Sequence, residues 1–116
     1  MTKAAAIIEP RVIHPQAGAI DIRGDVNGNA ESALMDAYVN LCSQGVKGVI
    51  LNFDGLNYMN SSGIGLLVTL LICAARDGKR LLAWGLSDHY QEIFHVTRLD
   101  EAIALYDSEE KALSAL

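Results

Sequence analysis

At residues 58–66 the chain reads Tyr-Met-Asn-Ser-Ser-Gly-Ile-Gly-Leu, a short polar segment between two apolar stretches. The upstream stretch, residues 48–53, is short and rich in β-branched and aromatic side chains, which predicts a buried strand. The downstream stretch, residues 64–75, is longer and apolar, which predicts a buried helix. The Asn-Ser-Ser at 60–62 consists of helix N-cap residue types. These serines therefore lie where free backbone N–H groups and the helix dipole favour a phosphate.

Strand and helix patterns alternate along the rest of the chain. The patterns predict strands at 5–14, 19–24, 47–53, 80–84 and 102–106, helices at 31–43, 61–77 and 88–96, a last helix opening at Ser108, and a loop at Asp25–Asn29. We expect an α/β fold in one domain over residues 1–116, with a four- to five-stranded mixed sheet and about four helices packed on it. Parallel pairing under helical cover is the expected arrangement.

Composition and charge exclude several classes of function. The net charge of −5 argues against nucleic acid as a partner, because no basic stripe exists to displace counterions. The apolar run at 64–75 is shorter than the ~20 residues of a membrane span, and residues 1–6 do not resemble a secretory leader. Cys42 and Cys73 have no metal or redox spacing and are interpreted as buried reduced thiols. We therefore expect a cytoplasmic protein that does not associate with membranes.

The chain offers little for catalysis, metals or cofactors. Three histidines are scattered without ligand spacing: His14, His89 and His95. Gly63 and Gly65 lack the third glycine of a dinucleotide loop. A small hydrolase using Ser61 is disfavoured because residues 60–63 lack the Gly-x-Ser-x-Gly pattern. We expect no metal, no cofactor and no enzymatic activity.

From residue 19 onward, the order of the motifs resembles the STAS domain of anti-sigma-factor antagonists. The resemblance covers roughly the last four-fifths of the chain. The motifs that carry it are Gly24-Asp25-Val26-Asn27, Leu51-Asn52-Phe53-Asp54-Gly55, Met59-Asn60-Ser61-Ser62-Gly63, Arg76-Asp77-Gly78, the segment from Phe94 to Leu99, and the segment from Asp107 to Leu113.

The resemblance implies a phosphorylation switch. In such antagonists the first serine of the Asp-Ser-Ser/Thr-Gly motif is phosphorylated by a partner that is both anti-sigma factor and serine kinase, and a PP2C-type phosphatase reverses the reaction. The unphosphorylated form binds the anti-sigma factor. Ser61 occupies the phosphorylated position, and Ser62 is interpreted as a structural hydroxyl. The partner-binding surface is expected to contain Asp25, Asn27, Asn29, Tyr58, Asn60, Ser61, Ser62 and Gly63.

Three positions that carry Asp in the family carry Asn here: Asn27, Asn52 and Asn60. Asn caps a helix about as well as Asp, so the fold should tolerate the change. The change removes negative charge around the acceptor hydroxyl, which would alter recognition by the kinase or leave the domain unphosphorylated. The alternative function is therefore a non-phosphorylated STAS scaffold or small-ligand sensor in a signalling complex. In either case we expect a monomer or weak dimer.

Overall fold

The computed structural model describes residues 5–116 as a mixed α/β fold. The elements in chain order are β1 (Ile7–His14), β2 (Ala17–Val26), α1 (Glu31–Ser43), β3 (Gly48–Asn52), β4 (Leu56–Met59), α2 (Ser61–Arg76), β5 (Arg80–Trp84), α3 (Asp88–Val96), β6 (Ala104–Tyr106) and α4 (Glu109–Ser114). Single 3₁₀ turns lie at 28–30 and 99–101. Residues 1–4, which belong to the segment assessed as a leader, lie outside the described residues. Within the described range, no helix has the length and apolar character that crossing a membrane requires.

The sheet is mixed, as predicted, but it has six strands rather than four or five. Five strands lie in the order β1-β2-β3-β5-β6, and β4 pairs with β2 alone. The β1–β2 pair is antiparallel, because the two strands follow one another through a tight turn instead of a helical crossover. All other pairs are parallel. The expectation of parallel pairing thus fails only for β1, whose edge position also accommodates Pro10.

The end of β2 and the segment that pairs with it differ from the sequence prediction. The predicted loop Asp25–Asn29 begins inside β2, which continues through Val26 before the 3₁₀ turn at 28–30. Leu56–Met59, part of which was interpreted as a polar connection, forms β4. Both differences have one cause, since the end of β2 pairs with β4 over only a few residues, too few to give an alternating pattern.

The helices cover the two faces of the sheet unequally. α1, α2 and α3 bury a large core against one face, formed by side chains such as Ile20, Leu51 and Leu81. The short α4 covers part of the other face, where Ala112 packs on Ile50 and its neighbours. β3 is buried along residues 48–51 because helices lie above and below it, which explains its continuous apolar sequence.

Candidate functional site

Pairing of β2 with β4 brings the two predicted site segments to one end of the sheet. In the parallel register Asp25 lies opposite Tyr58 and Val26 lies opposite Met59. The carboxylate of Asp25 accepts a hydrogen bond from the side-chain amide of Asn57 at 2.7 Å. Tyr58 remains 53% exposed. The sheet therefore presents one acidic and one aromatic side chain beside the start of α2.

The N-terminus of α2 is held in place by three hydrogen bonds. The Asn60 side-chain oxygen accepts from the backbone N–H of Gly63 at 2.8 Å, as an N-cap does. The Asn60 backbone N–H donates to the Val26 carbonyl at 3.2 Å, and the Met59 N–H donates to the buried Tyr90 hydroxyl at 2.8 Å. The cap prediction is confirmed for Asn60, and Tyr90 is a supporting residue that no motif in the sequence indicates.

Gly63 allows α2 to approach the sheet closely. A Cβ built on Gly63 would lie 2.7 Å from the Val26 carbonyl oxygen and 2.7 Å from the Met59 side chain. A carbonyl oxygen at that distance cannot be avoided by a rotamer change. Gly63 therefore sets the distance between the helix start and the β2–β4 ladder.

This close approach leads to a first prediction, tested on two glycines of the same helix. Gly63→Ala should lower the free energy of unfolding by about 1–3 kcal/mol, because the added methyl overpacks the contact with Val26. Gly65→Ala is the matched control, since a Cβ there meets nothing within 4 Å. It should stabilise the domain by roughly 0.5–1 kcal/mol through helix propensity. Urea unfolding of both variants checks this, and equal effects would contradict the packing argument.

The turn after β2 lies against the same helix end. The Asn27 side-chain oxygen accepts from the Asn29 backbone N–H at 2.8 Å and so fixes the turn. At Gly28 a Cβ would come within 3.6 Å of the Ser62 Cβ. A cavity of about 320 Å³ beside this turn is lined in part by Asp25, Asn27 and Asn29. The structure thus places the segments 25–29 and 58–63, which carry the eight predicted site residues, at one end of the sheet beside the start of α2.

Ser61 and Ser62 are exposed at the first two positions of α2. The helix geometry leaves their backbone N–H groups without an intrahelical acceptor. No acidic residue lies in the first turn. The positive end of the dipole of this 16-residue helix is therefore not offset by any side chain of that turn. This arrangement can accommodate a negative charge at Ser61 without disturbing the cap made by Asn60.

A family model described as "Mlab, STAS domain" matches residues 11–107. The chain belongs to the STAS domain family. An anti-sigma-B factor antagonist of Staphylococcus aureus is 23% identical to this STAS domain over 91 residues, which cover 78% of this chain and 84% of the relative. The unphosphorylated anti-sigma factor antagonist SpoIIAA superposes with a TM-score of 0.74 at 21% identity, covering 94% of this chain and 96% of SpoIIAA. The phosphorylated form of SpoIIAA from Bacillus gives 0.73 at 21% identity, with coverages of 94% and 98%. The STAS-like fold expected from the sequence is confirmed.

Asn27, Asn52 and Asn60 have different environments in this STAS domain. Asn27 and Asn60 use their side-chain oxygens as caps, which an aspartate could equally do. Asn52 instead uses both ends of its amide. Its oxygen accepts from the Asp54 backbone N–H at 2.9 Å and its nitrogen donates to the Asp21 carboxylate at 2.8 Å. Only an amide can make the second bond, since an ionised aspartate has no hydrogen to donate.

The asparagines therefore provide a second prediction. Asn52→Asp should destabilise the domain near pH 7 by about 1–3 kcal/mol. It places a second carboxylate beside Asp21, and it removes the amide N–H that donates a hydrogen bond to the Asp21 carboxylate. Asn60→Asp is the matched control. It keeps the cap and adds a negative charge at the helix N-terminus, which should stabilise by ~0.3–1 kcal/mol. Thermal unfolding of the two variants measures the difference in stability. If Asn60→Asp destabilised the domain as much as Asn52→Asp, the prediction would be contradicted.

Beyond Ser61, α2 presents an apolar face to solvent. The sequence predicted a buried helix over 64–75, and this is wrong for one face, because Val68 is 40% exposed and Ile72 is 63% exposed. No charged residue occurs between Ser61 and Ala75. Val68 and Ile72 are four residues apart and therefore lie on the same side of α2, where they form one small exposed apolar patch. The helical periodicity missed this face because both faces of α2 are apolar.

Proposed function

We propose that this STAS domain is an anti-sigma-factor antagonist whose binding to an anti-sigma factor is controlled by reversible phosphorylation of Ser61. The observation that carries the proposal is the position of Ser61. It is exposed at the first residue of α2, beside the paired strands β2 and β4. Curated relatives named anti-sigma-B factor antagonist support it. So does a protein of the same fold whose structure is known in unphosphorylated and phosphorylated forms.

The two proposed partners catalyse opposite reactions at Ser61. An anti-sigma factor with serine kinase activity binds the unmodified domain and phosphorylates Ser61, and a PP2C-type phosphatase removes the phosphate. The domain itself binds rather than catalyses, acts in the cytoplasm, and functions as a monomer or weak dimer. Its binding surface comprises the residues around Ser61, namely Asp25, Asn27, Asn29, Tyr58, Asn60, Ser62 and Gly63.

The switch requires no refolding of the antagonist. A phosphate adds about −1.5 to −2 charges. The unpartnered N–H groups and dipole of α2 offset this charge by roughly 0.3–1 kcal/mol within the domain. A partner surface shaped for a neutral hydroxyl would instead face a dianion. The apolar side chains of Val68 and Ile72, which lie on the same helix as Ser61, would provide contact area beside the charged position.

Incubation with the cognate kinase and ATP tests the proposal. Intact-mass measurement should show one added phosphate on the wild-type protein and none on Ser61→Ala. Ser62→Ala is the control, because it removes the adjacent hydroxyl and should still accept one phosphate. Modification of Ser61→Ala, or of no protein at all, would reject the phosphorylation switch.

A second candidate is the non-phosphorylated scaffold or small-ligand sensor. The observation that favours it is the loss of three family carboxylates at Asn27, Asn52 and Asn60. It predicts that the kinase leaves the protein unmodified although a binding partner still associates with it.

A further inference from the structure

A second cavity lies at the opposite end of the parallel strands from Ser61. Its volume is about 320 Å³, and its lining includes residues that precede or begin β2, β3 and β5 as well as residues from the end of the chain. The lining residues are His14, Gln16, Ala17, Lys47, Gly48, Arg80, Leu113 and Leu116. This volume is at the lower end of the range for small-molecule sites, roughly 300–1,000 Å³.

The cavity carries basic side chains and no acidic ones. His14, Lys47 and Arg80 line it, and no Asp or Glu does, although the whole chain carries a net charge of −5. Among the ion pairs of the described residues, none includes any of these three side chains. Basic groups without a carboxylate partner in an acidic protein provide a local site for an anion.

Backbone hydrogen bonds hold the segments that carry these side chains next to one another. The Lys47 N–H donates to the Gln16 carbonyl at 2.8 Å, and the Arg80 N–H donates to the Lys47 carbonyl at 3.1 Å. The His14 Nδ1 accepts from the Gln16 N–H at 3.2 Å. In the neutral ring this bond places the proton on Nε2, which is then free to donate. The main-chain segments that carry these three donors are thus fixed around one cavity.

Apart from Gln16, the remaining side chains of the lining are apolar. Leu116 lies over Gly48, where its side chain occupies the space that a Cβ at Gly48 would need. Leu113, with Ala17, completes the apolar part. One Arg80 guanidinium nitrogen donates to the Ala115 carbonyl at 2.7 Å, which ties the cavity wall formed by the end of the chain to β5. A ligand that fits must combine a small anionic head with a short apolar chain.

We propose that this cavity binds a small amphiphilic anion, a carboxylate on a short alkyl chain. Lys47 and the unused Arg80 donors face the carboxylate, the His14 Nε2–H supplies a third donor, and the alkyl chain packs on Leu113 and Leu116. This site is separate from Ser61 and does not depend on the proposed switch.

Titration of the uniformly ¹⁵N-labelled full chain with octanoate tests the site. We expect saturable shifts of the amide signals of Ala17, Gly48 and Leu113, and none over residues 61–65. Octanol should give no saturable shift at those amides, because it lacks the charge that the basic side chains bind. Absence of saturable shifts with octanoate, or equal binding of octanol, would overturn the proposal.

Two variants test which residues bind the carboxylate of the ligand and which bind its alkyl chain. Lys47→Gln should weaken octanoate about tenfold, the equivalent of one charge-assisted contact. Arg98→Gln is the matched control, because Arg98 is a solvent-exposed cation outside the cavity, and it should bind octanoate as wild type does. Leu116→Ala should weaken octanoate about fivefold through lost apolar contact while leaving acetate unchanged. Equal affinities in Lys47→Gln and Arg98→Gln would show that the basic residues do not form the site.

Discussion

The Ser61-phosphorylated protein is expected to bind the anti-sigma factor more than a hundredfold more weakly than the unmodified protein. A loss of ~3 kcal/mol in binding free energy is sufficient for this. That loss is modest for a phosphate of about −1.5 to −2 charges placed in a contact that was complementary to a hydroxyl. Ser61→Ala should bind as tightly as wild type and resist modification. Ser61→Asp should bind with intermediate affinity, because a carboxylate carries less charge and fewer acceptor oxygens than a phosphate.

Titration calorimetry of the partner against these four forms measures the effect. The phosphorylated protein should keep its midpoint of thermal unfolding, because the N–H groups at the start of α2 stabilise the added charge rather than resist it. Ser114→Ala is the binding control, because Ser114 lies on α4 outside the proposed binding surface, and it should retain the wild-type affinity. Equal affinities of the unmodified, phosphorylated and Ser61→Asp proteins would reject the partner switch and favour the scaffold or ligand-sensor function.

Most of the fold could be predicted from periodicity and caps. The α2 boundary at Ser61 followed from Asn60 as a cap residue and from the apolar run behind it, and the structure confirms both. The Ser108 side chain likewise accepts from the Lys111 N–H at the start of α4. Such signals are local, so a single sequence contains them completely.

The missed features depend on contacts between distant segments. β4 forms only because Leu56–Met59 reaches the end of β2, and its sequence alone resembles a connection. Cys42 and Cys73 are free but half-buried, although the sequence predicted buried thiols. Whether a residue of an apolar helix is buried or exposed depends on which elements pack against that helix. The hydrophobic periodicity of the sequence does not reveal those elements.

The grouping of the candidate site residues could be predicted only in part. The sequence places Ser61, Ser62 and Gly63 together because they are consecutive, and the family resemblance adds the turn near Asn27. The roles of individual residues required the structure. Gly63 is needed for its close approach to Val26, and the hydroxyl that supports Met59 comes from Tyr90 on another helix.

An ion-pair network on the α4 face should make a large contribution to stability. Asp21 is the one charged residue among the described residues that is buried, at 7% exposure. Its carboxylate receives two hydrogen bonds from the Arg11 guanidinium, at 2.6 and 2.8 Å, and one from the Asn52 amide. Arg11 also donates to Glu109 of α4 at 2.6 Å. One guanidinium therefore joins the edge strand, the central sheet and the last helix.

Arg11→Met should lower the free energy of unfolding near pH 7 by about 2 kcal/mol. Leaving one partner of a fully buried ion pair uncompensated costs about 3–5 kcal/mol. The Arg11 side chain is 39% exposed, so water enters and reduces the loss. Methionine keeps the apolar stem, and the variant therefore tests the charge and not the packing. Arg98→Met is the matched control, because its contact with Glu101 is 3.8 Å long and exposed, and it should change stability by less than ~0.5 kcal/mol.

The same variant should change how stability depends on pH. The hydrogen bonds from Arg11 hold the pKa of the Asp21 carboxyl below its ordinary value, and the Asn52 amide adds to this, whereas burial opposes it. A depressed folded pKa contributes stability above the unfolded value of about 3.9, and this contribution disappears as the pH falls through the folded value. The difference in free energy of unfolding between wild type and Arg11→Met should therefore be largest near neutral pH. It should decrease steadily as the pH falls below about 4. Urea unfolding across this range measures it, and a difference that stays constant down to the lowest pH at which both proteins fold would show that Arg11 acts through packing alone.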